Sequence, residues 1–365
     1  MKPMISELVP DLKTGRIDRR QLLRAMGVMG TASLAGACAP ETAPAGSAQT
    51  GAAAAGQAAA PSTAEGAGGR PRMAWMKTYE RIGQFKTISV GHIAYSVVEQ
   101  KKVRDWYIEV LGMMPVFDTG RSSALRFGVP WNHIYVTTAQ DAKAKPTIGH
   151  MSYNIEKFRL DAVEAELIAR KLPHRYDGPE MIHTDDPEAY RLQPASLVAV
   201  FPGGGNAENV ENLGEEDGVK AHLRQAPRPD YKTFVASCMN HISHNCIDYG
   251  KVRDYYIDVW GMRKVSDDGK VAVVEFAGSA GDPPQQVWLR GGLKPGQTQF
   301  VDHIGYSIEN FDAAKVGAEL KRRGLNPRSA GPNAWAINDA AGYPIQICAE
   351  KGVVPADAYR PYATT

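Results

Sequence analysis

At 365 residues the chain is long for one domain and comfortable for two. Its formal net charge of +2 and 43% hydrophobic content are those of an ordinary soluble protein. Charge therefore points to neither a nucleic-acid partner nor an acidic surface.

The first segment departs from that average. Residues 18–24 read DRRQLLR, and an uncharged, weakly apolar run from Ala25 to Ala39 follows. Arg19 and Arg20 before such a run resemble the twin-arginine export motif, with Asp18, Leu22 and Arg24 as departures from its usual form. The run is too short for a membrane span and suits a signal-peptide core. It ends in LAGACAP, where Cys38 resembles the acylated cysteine of a lipobox, although Leu34 lies one place further away than usual. Cleavage after Ala37 or Ala39 is the competing reading. Residues 39–72 are mostly Ala, Gly, Pro, Ser and Thr, which cannot bury enough surface to offset their ordering entropy. They read as a flexible tether within a lead-in over 39–84. The expectation is a periplasmic or exported protein, delivered by the twin-arginine machinery and anchored to the membrane if Cys38 carries lipid.

The other cysteines are Cys238, Cys246 and Cys348. On one extended strand the first two would stand about 26 Å apart, at ~3.3 Å per residue. Bridged Cα atoms lie within about 7 Å, so no disulfide joins that pair.

An internal repeat organises the rest. Residues 92–113, HIAYSVVEQKKVRDWYIEVLGM, align without a gap to residues 241–262, HISHNCIDYGKVRDYYIDVWGM, with about half the positions identical. A second pair begins at His150, HMSYNIEKFRLDAVEAEL, and at His303, HIGYSIENFDAAKVGAEL. Four units thus follow in the order A-B-A′-B′. In the first, Ile93, Tyr95 and Val97 alternate at strand period, and Val103, Trp106, Tyr107 and Val110 fall at helical spacing. Gly112 is the expected helix stop. SALRFGV at 123–129 and HIYVTT at 133–138 add strands, giving a βαβββ pattern. One such unit cannot close a core, whereas two side by side can curl around a cavity.

A histidine opening βαβββ, the phrase ending VLGM, and two units per domain resemble the vicinal-oxygen-chelate superfamily of glyoxalases, bleomycin-resistance proteins and extradiol dioxygenases. NDAAGYPIQICAE at 338–350 resembles the family's closing segment. The resemblance implies an α+β fold: four βαβββ units in two consecutive domains, each with a cupped half-barrel sheet. The expected boundaries are a first domain over 85–202, a linker over 203–232, a second domain over 233–351 and a tail over 352–365. Such domains serve lyases, isomerases, dioxygenases and binding proteins alike.

The resemblance also implies metal ligands on the first and last strands of the units. Carried over, these are His241, His303 and Gln346 in the second domain, and His92 and His150 in the first. Tyr135 and Ala199 stand at the first domain's strand ends. Two imidazoles and an oxygen donor suit a divalent ion such as Fe, Mn, Zn or Ni. Gln346 replaces the family's usual glutamate, which leaves the site one negative charge short. Glu350 shares its face but lies ~13 Å further along an extended strand. His133 shares a face with Tyr135 and is a further candidate. Isolated strand histidines are commonly structural, but four histidines opening four units are not what that reading expects.

Trp131, Tyr135, Trp288 and Trp335 are expected to line the cups, as suits a planar substrate. Trp106 and Tyr107, with Tyr255 and Tyr256, read as helix-to-sheet core. HTDDPE at 183–188 reads as a solvated loop, and the glycines at 203–205 as linker. Three functions stay open: a dioxygenase-like metalloenzyme acting on a small oxygenated or aromatic molecule, a glyoxalase-type lyase or isomerase, and a non-catalytic small-molecule binding protein.

Overall fold

A computed structural model describes residues 85–128, 132–176, 181–196, 224–278 and 282–355. The export motif, Cys38, the tether, Trp131, Ala199 and the glycines at 203–205 lie outside the described residues.

The first domain begins with β1 (Thr87–Val97), α1 (Gln100–Leu111), β2 (Met114–Asp118), β3 (Ser122–Phe127) and β4 (Asn132–Thr138). Its second unit comprises β5 (Thr147–Ile155), α2 (Leu160–Ala169), β6 (His174–Tyr176), β7 (Ile182–Asp185) and β8 (Arg191–Ala195). The second domain repeats this order. Its first unit is β9 (Ala236–Asn245), α3 (Tyr249–Asp258), β10 (Arg263–Asp267), β11 (Val271–Glu275) and β12 (Gln286–Arg290). The last unit is β13 (Phe300–Ile308), α4 (Ala313–Arg322), β14 (Arg328–Ser329), β15 (Ala334–Asn338) and β16 (Pro344–Cys348).

Each domain is one eight-stranded mixed sheet, ordered β2-β3-β4-β1-β5-β8-β7-β6 in the first and β10-β11-β12-β9-β13-β16-β15-β14 in the second. Two units meet at the antiparallel central pair, β1 with β5 and β9 with β13. In each unit the opening strand runs parallel to the closing one, as β1 does to β4 and β13 to β16. The helix between them is the crossover that parallel pairing demands. This is the α+β, duplicated arrangement that the repeats imply.

Local chemistry sets the helix ends. Val103, Tyr107, Val110 and Leu111 bury one stripe of α1. Gly112 ends it at φ 64°, and its N–H donates to the Ile108 carbonyl at 3.1 Å. A Cβ there would lie 2.7 Å from the Phe234 carbonyl oxygen, so glycine is required twice over. Asp248 caps α3 and Asp312 caps α4, each accepting a backbone N–H three residues on.

The two sheets share one continuous apolar core. Tyr107 and Tyr256, read from sequence as helix-to-sheet core, are fully buried and also reach the neighbouring domain. The Tyr107 hydroxyl donates to Asp339 at 3.1 Å, and the Tyr153 and Tyr256 hydroxyls lie 2.9 Å apart. Tyr95 also donates to Asp339, at 2.7 Å. Cys238, Cys246 and Cys348 are free and buried.

Candidate metal centre

The four unit-opening histidines lie on the central strand pairs, and β-bulges accompany them. In the β9–β13 ladder the register shifts at Asn240, between the pairs Gly305–His241 and Tyr306–Met239. It shifts again at Asp302, between Val301–His244 and His303–Ser243. On a regular strand, neighbouring side chains point to opposite faces; a bulge breaks that alternation and re-aims a side chain. Here it lets each histidine hydrogen-bond to the residue before it. The His241 Nδ1 lies 2.8 Å from Asn240 Oδ1, and the His303 Nδ1 lies 3.1 Å from Asp302 Oδ2.

These contacts settle the tautomers. Asn240 donates its amide nitrogen to Ser307 Oγ and to the Ala349 carbonyl, so its oxygen faces His241. A carboxylate or amide oxygen only accepts, so each Nδ1 is the donor, and in the neutral ring each Nε2 then keeps its lone pair. The two Nε2 atoms then face each other at 3.1 Å. Gln346 brings its amide to 3.1 Å from His303 Nε2. All three side chains are buried.

The His241 ring lies flat on Trp288, with centroids 3.5 Å apart and planes 4° apart. On its other side it crosses the β13 backbone at Gly305, where a Cβ would lie 2.2 Å from the ring. Burial, then the proximity of His303 and of Arg290, holds the His241 pKa well below the usual histidine range. Asp302 is also buried, yet His303, Ser243 and Arg290 draw its pKa below the ordinary carboxylate value, so it stays charged behind His303. Beside Gln346, the small residues Ala334, Ala336 and Cys348 pack together.

The first domain repeats the central pair. His92 and His150 bring their Nε2 atoms to 3.0 Å, and the Tyr135 ring meets His92 edge-on at 4.5 Å. The counterpart of Gln346 is Gln193. Ser152 pairs with Gln193 in β5–β8 as Gly305 pairs with Gln346 in β13–β16. The position read from sequence, Ala199, is therefore not the equivalent one. The signal was present: tyrosine precedes the glutamine by three residues both at 190–193 and at 343–346.

Two further expectations change. HTDDPE is not a solvated loop, because His183 lies on β7 and is buried, as is Asp186. Asp186 instead accepts the backbone N–H groups of Glu188 and Tyr190, and Glu188 accepts those of Ile247 and Asp248 across the domain boundary. Trp335 does not face the cup. Its neighbour Ala336 pairs with Gln346, while Trp335 packs on α4 at Gly317 and donates to the Ala313 carbonyl at 2.8 Å. Trp288 and Tyr135 do lie against the histidines. His133 pairs with His92 on the neighbouring strand, and burial pushes its pKa down to about 3. Glu350 follows the end of β16 and takes no position beside Gln346. Among the described residues no three His, Cys, Asp or Glu side chains form a metal-binding group. Each cup offers two imidazoles and an amide.

No family model matches the sequence, and no curated protein does either. Solved structures do match. The Mn(II)-bound glyoxalase from Novosphingobium aromaticivorans is 14% identical, with a TM-score of 0.53 over 76% of this chain and 86% of that one. Homoprotocatechuate 2,3-dioxygenase from Brevibacterium fuscum, complexed with 3,4-dihydroxyphenylacetate, is 13% identical, with a TM-score of 0.52 over 78% and 88%. At such identities the likeness speaks for the fold. Together with the sheet order and the two-fold repeat, it establishes that the described residues between 85 and 355 carry the duplicated vicinal-oxygen-chelate fold.

Proposed function

We propose that this is an exported, metal-dependent protein that holds a divalent ion at His241, His303 and Gln346 and acts on a small oxygenated, planar molecule. The observation that carries this reading is the pair of Nε2 lone pairs facing each other at 3.1 Å, with both Nδ1 atoms already committed. Two lone pairs with no proton between them repel, and a cation between them removes the conflict. Metal–nitrogen bonds of about 2.0–2.1 Å at near-right angles place ligand nitrogens about 3 Å apart, which matches. The oxygen-bearing neighbours behind each imidazole are the outer shell that metal-bound histidines commonly have.

The ion would supply a Lewis-acidic centre with open positions for two adjacent substrate oxygens. The residues around it do the rest. Trp288 holds the His241 plane, Asp302 keeps His303 in its metal-binding tautomer, and the small residues Ala334, Ala336 and Cys348 pack beside Gln346. Among the described residues the carboxylate recorded beside these ligands is Asp302, and it is engaged with His303. That favours dioxygenase-like chemistry over a glyoxalase-type reaction, which needs a carboxylate to move the substrate proton. The amide in place of an acidic ligand favours a second reading, a binding protein without turnover.

Elemental analysis of protein purified from its native compartment tests the proposal. One equivalent of iron supports the oxygen chemistry, whereas zinc, nickel or manganese supports Lewis-acid chemistry. His241→Ala or His303→Ala should lose the ion. An unchanged metal content in both variants would remove the site, and the binding-protein reading would stand.

A further inference from the structure

In the second cup β12 and β9 run parallel in unbroken register, with Gln286 beside His241, Trp288 beside Ser243 and Arg290 beside Asn245. Alternation puts these residues on the face that carries His241. Arg290 reaches back along that face. Its Nε donates to Ser243 Oγ at 2.8 Å, and its guanidinium lies 5.8 Å from the centre of the Trp288 ring that stacks on His241. Ser243 is two residues from His241, about 7 Å along the strand. Since its oxygen accepts from Arg290, the Ser243 hydroxyl is left to donate to Asp302, with which it is hydrogen-bonded.

Two donors at this end of the face are unused. Among the described residues, Arg290 Nη2 and Asn245 Nδ2 are buried and have no hydrogen-bond partner. Asn245 is 9% exposed, whereas Arg290 is partly exposed and so open to a ligand from solution. Guanidinium and amide nitrogens only donate, and a buried donor left without an acceptor is costly. Asp302 balances the charge of Arg290 across Ser243, but it bonds to His303 and leaves Nη2 unmet. The first cup does without the arrangement. By the same pairing Thr137 stands where Arg290 does, Ser96 where Asn245 does and Ala94 where Ser243 does. Thr137 turns its hydroxyl to the Tyr95 carbonyl. The same sheet thus closes without an arginine at this position, so closing the sheet does not account for Arg290.

We propose that Arg290 and Asn245 form a carboxylate-recognition point at one end of the second cup, so that its ligand is a small planar molecule bearing a carboxylate. The inference rests on the reading that this cup receives such a molecule, and it names the charge that the molecule carries. A guanidinium nitrogen and an amide nitrogen on adjacent strands offer two donors, which the two oxygens of a carboxylate match. A phosphate dianion calls for more positive charge than one guanidinium already partly offset by Asp302. The span of about 7 Å from His241 to Ser243, where Arg290 is anchored, is comparable to one substituted aromatic ring.

The test compares benzoate with benzamide, which differ in charge and little in shape, by titration calorimetry on the full chain, metal-free and loaded with Co(II). Benzoate should bind at least about tenfold more tightly than benzamide, the scale of one charge-assisted hydrogen bond. Arg290→Met keeps the length of the side chain and loses its charge; it should bring benzoate down to the level of benzamide and leave benzamide unchanged. Arg290→Lys should retain part of the preference. If Arg290→Met does not fold, Asn245→Asp serves instead, because a carboxylate there occupies the guanidinium and repels an anion. Equal affinities for the two probes in the wild type would overturn the proposal, as would a preference that survives both Arg290→Met and Asn245→Asp. Displacement of benzoate by an equal concentration of inorganic phosphate would overturn the assignment to a carboxylate. Co(II) content is read separately. A chain that binds no Co(II) but prefers benzoate supports the carboxylate point and removes the metal reading alone, whereas bound Co(II) without the preference removes the carboxylate point alone.

Discussion

The Nε2 atoms of His241 and His303 lie 3.1 Å apart, while each Nδ1 hydrogen-bonds to a side-chain oxygen of the preceding residue. Two residues opening separate units thus share one point, and each arrives with its tautomer set. The partners are asymmetric, an amide on one side and a buried carboxylate on the other. That carboxylate brings the negative charge which Gln346, as an amide, does not.

Asp302→Asn should therefore weaken metal retention about 10–100-fold without unfolding the chain. The amide nitrogen of the variant can turn toward His303 and favour the wrong tautomer. Chelator competition monitored alongside the thermal midpoint checks this; equal metal affinity in variant and wild type would show that Asp302 does not set the site.

Gly305→Ala tests the approach of the His241 ring to the β13 backbone. A Cβ at that position lies 2.2 Å from the ring, and the stacked Trp288 blocks retreat on the other side. The ring has to leave the shared point, so metal binding should fall to the level of His241→Ala. Retained binding with a native circular-dichroism spectrum would mean that His241 adopts another position.

Asp186 predicts a pH signature of stability. Burial raises its pKa from 3.8 to about 6, against hydrogen bonds from Gln299 and from the Tyr190 and Glu188 backbones and with Glu188 opposing its charge. Tyr190, Tyr255 and Cys246 also face it. A carboxyl raised in the fold holds its proton after the unfolded chain has released it. Asp186 therefore favours folding at low pH, and that contribution is lost as pH rises from about 4 to about 6. A shift of about two units corresponds to about 3 kcal/mol, an order-of-magnitude figure. In Asp186→Asn that part of the stability–pH slope should vanish, as denaturant titrations from pH 4 to 7 would reveal. A slope identical to that of the wild type would place the titration elsewhere.

The proposed export rests on Arg19 and Arg20, and the proposed anchoring on Cys38. Replacing both arginines with lysine should hold the protein in the cytoplasm, whereas Cys38→Ala should release a membrane-bound protein into the soluble periplasmic fraction. Fractionation with immunoblotting reads both. Periplasmic delivery of the double-lysine variant would remove the export reading, and a soluble wild type would remove the lipid.

The sequence by itself determined the duplication, the βαβββ order and the four histidines that open the units. These are local or periodic features: an ungapped repeat of KVRD and Gly-Met, strand alternation through Ile93, Tyr95 and Val97, and a helical stripe ended by Gly112. Gln346 was legible because its closing segment resembles a known ending. Strand alternation does not predict neighbours where the backbone departs from it. The bulges at Asn240 and Asp302 turn residues that a regular strand would send to opposite faces into hydrogen-bonding neighbours. The pairs Asn240-His241 and Asp302-His303, against Gly91-His92 and Gly149-His150, already held that distinction in the sequence, but it has no meaning until the bulge is seen. Pairing across strands decided the rest. Only the register makes Gln193 the counterpart of Gln346, sets His183 against it, and turns Trp335 toward α4 while Ala336 takes the place beside Gln346. A one-residue change of register reverses every face of a strand, and that register is set by partners far away in the chain.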